Sequence, residues 1–465
     1  MARSAAAARH CAERLKHQLY ARPFTIGGVL LLTCSGAVGL WRHSATSHRL
    51  VPSQQAGLSR LMAATQLLQG FRGDSSRPVP ELWTQRLGLR RAKELWNRQG
   101  SAIWWQAWST DGEAYLVLPS TLLPAADRSG LMLTPVQGVL ATAADPLHRQ
   151  QLLQRLKAAG ASPATSPLQR NCLSRLQQGP AVFWSSDGLA SVSGTLAPLL
   201  QRASHGCLSL ELQARALQWQ GVVGRRPLAA APATFKADRA DPGPQPEPLP
   251  AQTLLSLRGP QLADVLGALL SRRIIQTPLE EDYGIDQKAR STLSSRPFAL
   301  QLIGQAKGPF QAGLEIQIPL PGDETRWRRS LERIESRLIE RGLAAQSDTP
   351  PGEVLFEDPQ RPESPLVGGW RWIARKGQPA PALLSIGLGR PPADSPWRTP
   401  ATMTPAQGLQ LQARPKQLQA LQLLPGRWPK AVRDAGVLSL ELRPLPGGTM
   451  GADWLRCDGQ LRFGS

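Results

Sequence analysis

Phe24 to Trp41 (FTIGGVLLLTCSGAVGLW) is eighteen residues without a charge, and no other stretch constrains the chain as strongly. As a helix it would be about 27 Å long, the short end of what crosses a hydrocarbon core. Gly27, Gly28 and Gly36 weaken a helix in water. In lipid they matter less, because no other local structure satisfies the backbone there. Arg3, Arg9, Arg14, Lys16 and Arg22 precede the run against Glu13 alone, while Arg42, Arg49 and Arg60 follow at wider spacing. That bias predicts a single-pass transmembrane anchor with a cytoplasmic N-terminus and a body on the far side of the membrane. Three readings compete with the uncleaved anchor. One is a signal-peptidase cut after Ala37, and another is lipoprotein-type processing at Cys34, for which Thr33 is a poor neighbour. The third buries the run inside a cytoplasmic fold.

A chain of 465 residues is too long for one core. Its 41% hydrophobic content and fourteen tryptophans can fill several cores, despite 42 prolines and 42 glycines. The formal charge of +20 reads either as attraction to an anionic lipid surface or an acidic protein, or as arginine usage without a dedicated partner. Nucleic acid is not the expected partner: the basic residues are scattered, and no finger, ribonucleoprotein or helix-turn-helix signature is present.

Composition shifts divide the chain into a basic lead (1–23), the anchor (24–41), a tether with helical segments (42–100) and a first α+β module (101–226). A linker (227–252) holding seven prolines separates these from a second α+β module (253–465). In the first module IWWQAW and EAYLVLP flank a turn at Asp111-Gly112, which predicts a hairpin. Gly179–Gly194 reads as a second hairpin, turning at Asp187-Gly188. Gln54–Gln69 reads as one helix closed by Gly70, and Asp323–Arg341 as the longest helix of the body.

LSLEL occurs at 208–212 and again at 438–442, each time two residues after a glycine that closes a short helical stretch. A tryptophan-rich strand precedes each copy, WWQAW at 104–108 and WRW at 370–372. The expected fold is therefore an N-terminal transmembrane helix followed by two possibly duplicated antiparallel sheet-plus-helix modules, each with its helices on the apolar face.

Candidate chemistry is sparse. His205 and Cys207 stand two apart but have no evident third group, so a turn histidine beside a core cysteine is expected. Glu280, Glu281 and Asp282 cluster without calcium-loop spacing and read as charges that favour a helix N-terminus. Leu383–Gly389 (LLSIGLG) has too few ordered glycines for a phosphate cradle. Cys172, Cys207 and Cys457 fall in the body; one Cys172–Cys207 bridge and three buried thiols are both open. Trp104, Trp105, Trp108 and Trp184 are candidate ligand-binding residues if they line one rim, and core residues otherwise. No catalytic residue, metal site or cofactor is predicted.

The anchor, RGPQLADVLGALL at 258–270 and AGLEIQIPLPGDETRW at 312–327 resemble a group of uncharacterised cyanobacterial proteins with one anchor and an extracytoplasmic body. The resemblance covers about residues 55–463 and implies a periplasmic or thylakoid-facing location. The leading function is a non-catalytic, membrane-anchored extracytoplasmic protein that binds a protein partner or envelope component. The alternatives are a lipid- or pigment-handling protein with an apolar cavity, and a hydrolase whose site assembles only in the fold.

Overall fold

A computed structural model describes residues 52–110, 112–160, 166–193, 202–228, 248–305, 310–320, 324–361, 366–373, 383–389, 408–424, 430–445 and 453–464. The Phe24–Trp41 run and most of the proline-rich linker lie outside the described residues. Two units divide the chain. One comprises Met1–Ala197, Ala203–Arg239 and Arg427–Ala431; the other comprises Pro198–Arg202, Ala240–Gly426 and Val432–Ser465.

The first unit is organised on β1 (Leu67–Arg72), a short strand bonded on both edges. One neighbour is β2 (Ile103–Trp108) and the other is β6 (Ala181–Trp184). β2 continues into β3 (Ala114–Pro119), which pairs with β5 (Val139–Thr142), itself paired with β4 (Leu133–Val136). On the other side β6 pairs with β7 (His205–Gln213), and β7 with β8 (Ala216–Gly224). The ladder therefore runs β4-β5-β3-β2-β1-β6-β7-β8, antiparallel throughout.

Helices form where local signals start and stop them. α1 (Pro52–Ala64) precedes β1, and α2 (Glu81–Leu87) is separated from α3 (Leu89–Gln99) by Gly88, whose φ of 77° ends one helix and admits the next. α4 (Pro146–Ala158) and α5 (Pro167–Gln178) share one device. A side chain, Asp145 or Ser166, accepts from the third amide beyond it, with proline in the first turn. α6 (Ser186–Ser193) comes after β6. Trp83, Leu95, Trp96, Trp104, Leu116 and Leu140 fill a core between α2–α3 and the sheet.

The second unit holds β9 (Thr253–Gly259), α7 (Ala263–Leu270), α8 (Arg273–Glu281), α9 (Gln287–Ser294), β10 (Phe298–Gly304), β11 (Ala312–Pro319) and α10 (Glu324–Glu340). β12 (Ala344–Ala345), β13 (Glu353–Glu357), β14 (Leu366–Ile373), β15 (Leu383–Leu388), β16 (Leu409–Ala413) and α11 (Pro415–Ala420) come next. α12 (Lys430–Arg433), whose last turn falls in this unit, leads to β17 (Ala435–Pro444) and β18 (Trp454–Phe463). Here β9 is the strand bonded on both edges, by β10 and β16. The ladder β14-β15-β11-β10-β9-β16-β17-β18 repeats the order of the first unit strand for strand, with β12 and β13 added beyond β14. LSLEL sits in β7 and in β17, the seventh strand of each path. α10 lays Trp327 and Leu331 into a core with Phe298, Ile318, Phe356, Trp370 and Leu384.

Two expectations are corrected. The described strands join in a single eighteen-stranded antiparallel sheet, in place of two separate module sheets. An open ladder leaves unpaired N–H and C=O groups at its edge, and continued pairing satisfies them. The transmembrane helix, and with it the single-pass membrane description, also lacks support: no helix among the described residues is long and apolar enough to cross a membrane. The longest, α10, has seventeen residues and is studded with arginine and glutamate.

Local readings differ as well. The helix expected over Gln54–Gln69 stops at Ala64, because Leu67–Arg72 is claimed by two strands. The expected second hairpin is strand β6 followed by helix α6, whose Gly188 abuts the Gln66 carbonyl.

Gly57 of α1 lies against the carbonyls of Val136 and Gln137 in the β4–β5 turn, where an added Cβ would collide with backbone. Gly57→Ala is expected to lower unfolding stability by about 1–3 kcal/mol, read from urea denaturation, since neither carbonyl can move without breaking the turn.

Candidate functional site

The four tryptophans singled out from sequence do not line one rim. Trp104 stacks on Phe71 at 4.4 Å and meets Trp83 and Trp96 edge-on, all in the α2–α3 core. Trp105, the next residue along the strand, points to the opposite face, where its indole N–H donates to the Leu176 carbonyl of α5 at 2.8 Å. Trp108 and Trp184 both pair with Leu67 and so share the face of Trp104. Each of the four is at most 7% exposed.

His205 and Cys207 also separate in role. Cys207 is bonded to Cys172, tying β7 to α5 with Cα atoms 5.7 Å apart. Both sulfur-bearing residues are buried. Burial pushes the His205 imidazole below its usual value, against a smaller opposing effect of the Asp187 carboxylate. Cys457 is buried outside the disulfide. Glu280 and Asp282 lie at the C-terminal end of α8 and not at a helix N-terminus, the position offset by pairing with Arg290 and Arg341. LLSIGLG forms strand β15. Among the described residues no three His, Cys, Asp or Glu side chains converge to hold a metal ion.

A different constellation emerges when the paired residues are traced across each ladder from the serine of LSLEL. In the first unit the row reads Gln220, Ser209, Ala181, Gly70, Trp105, Val117, Ala141. In the second it reads Gln460, Ser439, Gln412, Ser256, Gln301, Glu315, Gly387. Directly paired residues share a face, so each row crosses one side of its sheet. The ends agree in chemistry, and the centres do not. Gly70, Trp105 and Val117 are replaced by Ser256, Gln301 and Glu315.

The polar centre is as buried as the apolar one, with Gln301 and Glu315 each 2% exposed. Ser385 Oγ donates to Glu315 Oε1 at 2.9 Å, and Gln317 Nε2 donates to the same oxygen at 3.0 Å. Gln301 Nε2 and Gln317 Oε1 are buried without a protein partner. This is the strongest candidate site in the described structure: a carboxylate, two amides and a hydroxyl gathered on one inner sheet face. Alternation in FALQLIG and AGLEIQIP marks these residues as the outward, solvated side of amphipathic strands. Only their burial distinguishes them.

Comparison with protein-family models, curated proteins and solved structures gives no match.

Removing the carboxylate should expose the network's cost. Glu315→Ala leaves two buried donors unpaired and is expected to destabilise by about 2–4 kcal/mol, whereas Glu315→Gln keeps an acceptor and should lose about half as much or less. Denaturant midpoints of the two variants measure the difference.

Proposed function

We propose that the chain is a non-catalytic binding protein that works outside the reducing cytosol. The Cys172–Cys207 bond carries the compartment half of this reading. Disulfides persist where the surroundings are oxidising and are rare where thiol reductants prevail. The basic lead and uncharged Phe24–Trp41 run are consistent with export of the folded body.

The binding half is supported by how the available acid and base groups are used. Asp145 caps α4 and accepts from both the amide and the ring of His148. Asp286 caps α9 and receives Arg326. Glu315 accepts from Ser385 on the neighbouring strand and from Gln317 on its own. The carboxyls of Asp145 and Asp286 are held below the usual carboxylate range, first by backbone amides. Such groups are suited to stay ionised and hold structure, not to exchange protons near neutrality. Their contribution to stability is complete above the ordinary aspartate value and is lost as acid protonates them.

Thiol trapping on protein taken directly from cells tests the compartment. Alkylation in denaturant without reductant should leave Cys172 and Cys207 unmodified, and both should react once a reductant is added. Closing a loop with a sequence separation of 35 residues, the bond should contribute about 3–4 kcal/mol to stability. Free Cys172 and Cys207 thiols in freshly quenched cells would overturn the reading.

A further inference from the structure

The turn between α7 and α8 is built against its own stability. Arg272 is the N-cap of α8 and Arg273 its first residue, with no side-chain cap hydrogen bond; Glu280 and Glu281 occupy its last turn. The partial positive charge of a helix N-terminus favours acids there and bases at the other end. α8 has the reverse. Neither Arg272 nor Arg273 has an ion-pair partner among the described residues, and both are exposed. Between them and the rest of the helix stands Ile274, 81% exposed.

The apolar surface continues behind the turn. α7 commits Leu262, at its N-cap, together with Val265 and Leu266, to the core of the second unit. Leu269 and Leu270, closer to the turn, are half-buried like Val265 and Leu266, as is Ile275. Gln276 Nε2 donates to the Leu270 carbonyl at 3.1 Å and holds the two helices around this tip. The turn thus sets an exposed isoleucine directly beside two exposed guanidinium groups that have no ion-pair partner among the described residues.

We propose that this tip docks on an anionic lipid surface. Arg272 and Arg273 would engage phosphates, and Ile274 would enter the boundary between headgroups and acyl chains. Guanidinium forks match phosphate oxygens, and an apolar side chain beside them gains only where a non-aqueous layer lies directly below the phosphates. An acidic protein would complement the arginines but supplies no such layer. The net charge of +20 adds long-range attraction of the same sign. The proposal rests on the reading of the chain as a binding protein and names its partner.

Amide hydrogen exchange on the full chain tests it, because the readout is local to the tip and is not moved by lipid contacts elsewhere. Vesicles of phosphatidylglycerol mixed with phosphatidylcholine should slow exchange across residues 269–276, and pure phosphatidylcholine should not. The double variant Arg272→Glu/Arg273→Glu should abolish the protection and weaken the anionic-lipid part of vesicle binding about twentyfold or more, given about fivefold per arginine at such a surface. Arg272→Lys/Arg273→Lys should keep most of it, and Ile274→Asp should lose it with circular dichroism unchanged. Equal protection by both vesicle types, no protection by either, or protection by polyglutamate but not by anionic vesicles would each overturn the proposal. The thiol assay reads the compartment independently of these outcomes.

Discussion

Pairing on both edges of one short strand is the constraint on which each unit depends. β1 has six residues, yet its partners arrive from thirty and more positions downstream on one side and over a hundred on the other. No local turn can form this ladder. The chain must close long loops before the central strand has either neighbour, and such loops cost entropy that only the finished sheet offsets. β9 stands in the same position in the second unit, between β10 and β16. The helices then have little freedom. α5 lies where its Leu176 carbonyl meets the Trp105 indole, and Gly70 admits its backbone close to the sheet.

The same constraint explains what sequence could and could not reveal. The β2–β3 hairpin was legible because alternation and the Asp111-Gly112 turn are local. The periodic apolar side of α10 is local too. LSLEL pointed to corresponding strands, which share a place in the two ladders. Leu67–Arg72 was hidden: LLQGFR continues a helical spacing, and only distant partners make it a strand. Ser186–Ser193 coiled where an Asp-Gly pair suggested a hairpin. The run Phe24–Trp41, most emphatic in sequence, falls outside the described residues, and the single sheet could not be read from modules considered separately.

The tryptophans and the Glu315 row show the opposite failure. Sequence promotes large aromatics as ligand platforms, yet here successive residues of one strand serve two different cores. It passes over glutamine and glutamate in an alternating strand, because an outward position is normally wet. Lining up the two rows from Ser209 and Ser439 reverses both judgements. One backbone plan carries Trp105 and Val117 in a dry interior and Gln301 and Glu315 in an equally shielded one. Polar groups kept under cover cost more than the apolar ones they stand in for, unless they are joined to each other. Ser385 and Gln317 make that junction on a single carboxylate oxygen.

The covalent tie between α5 and β7 has a consequence for how the molecule would wear. It encloses β6 and α6 in a closed ring of main chain. A protease that cuts inside that ring severs no piece from the rest: the two ends stay fastened through sulfur, and a damaged molecule migrates as an intact one until a reductant is added.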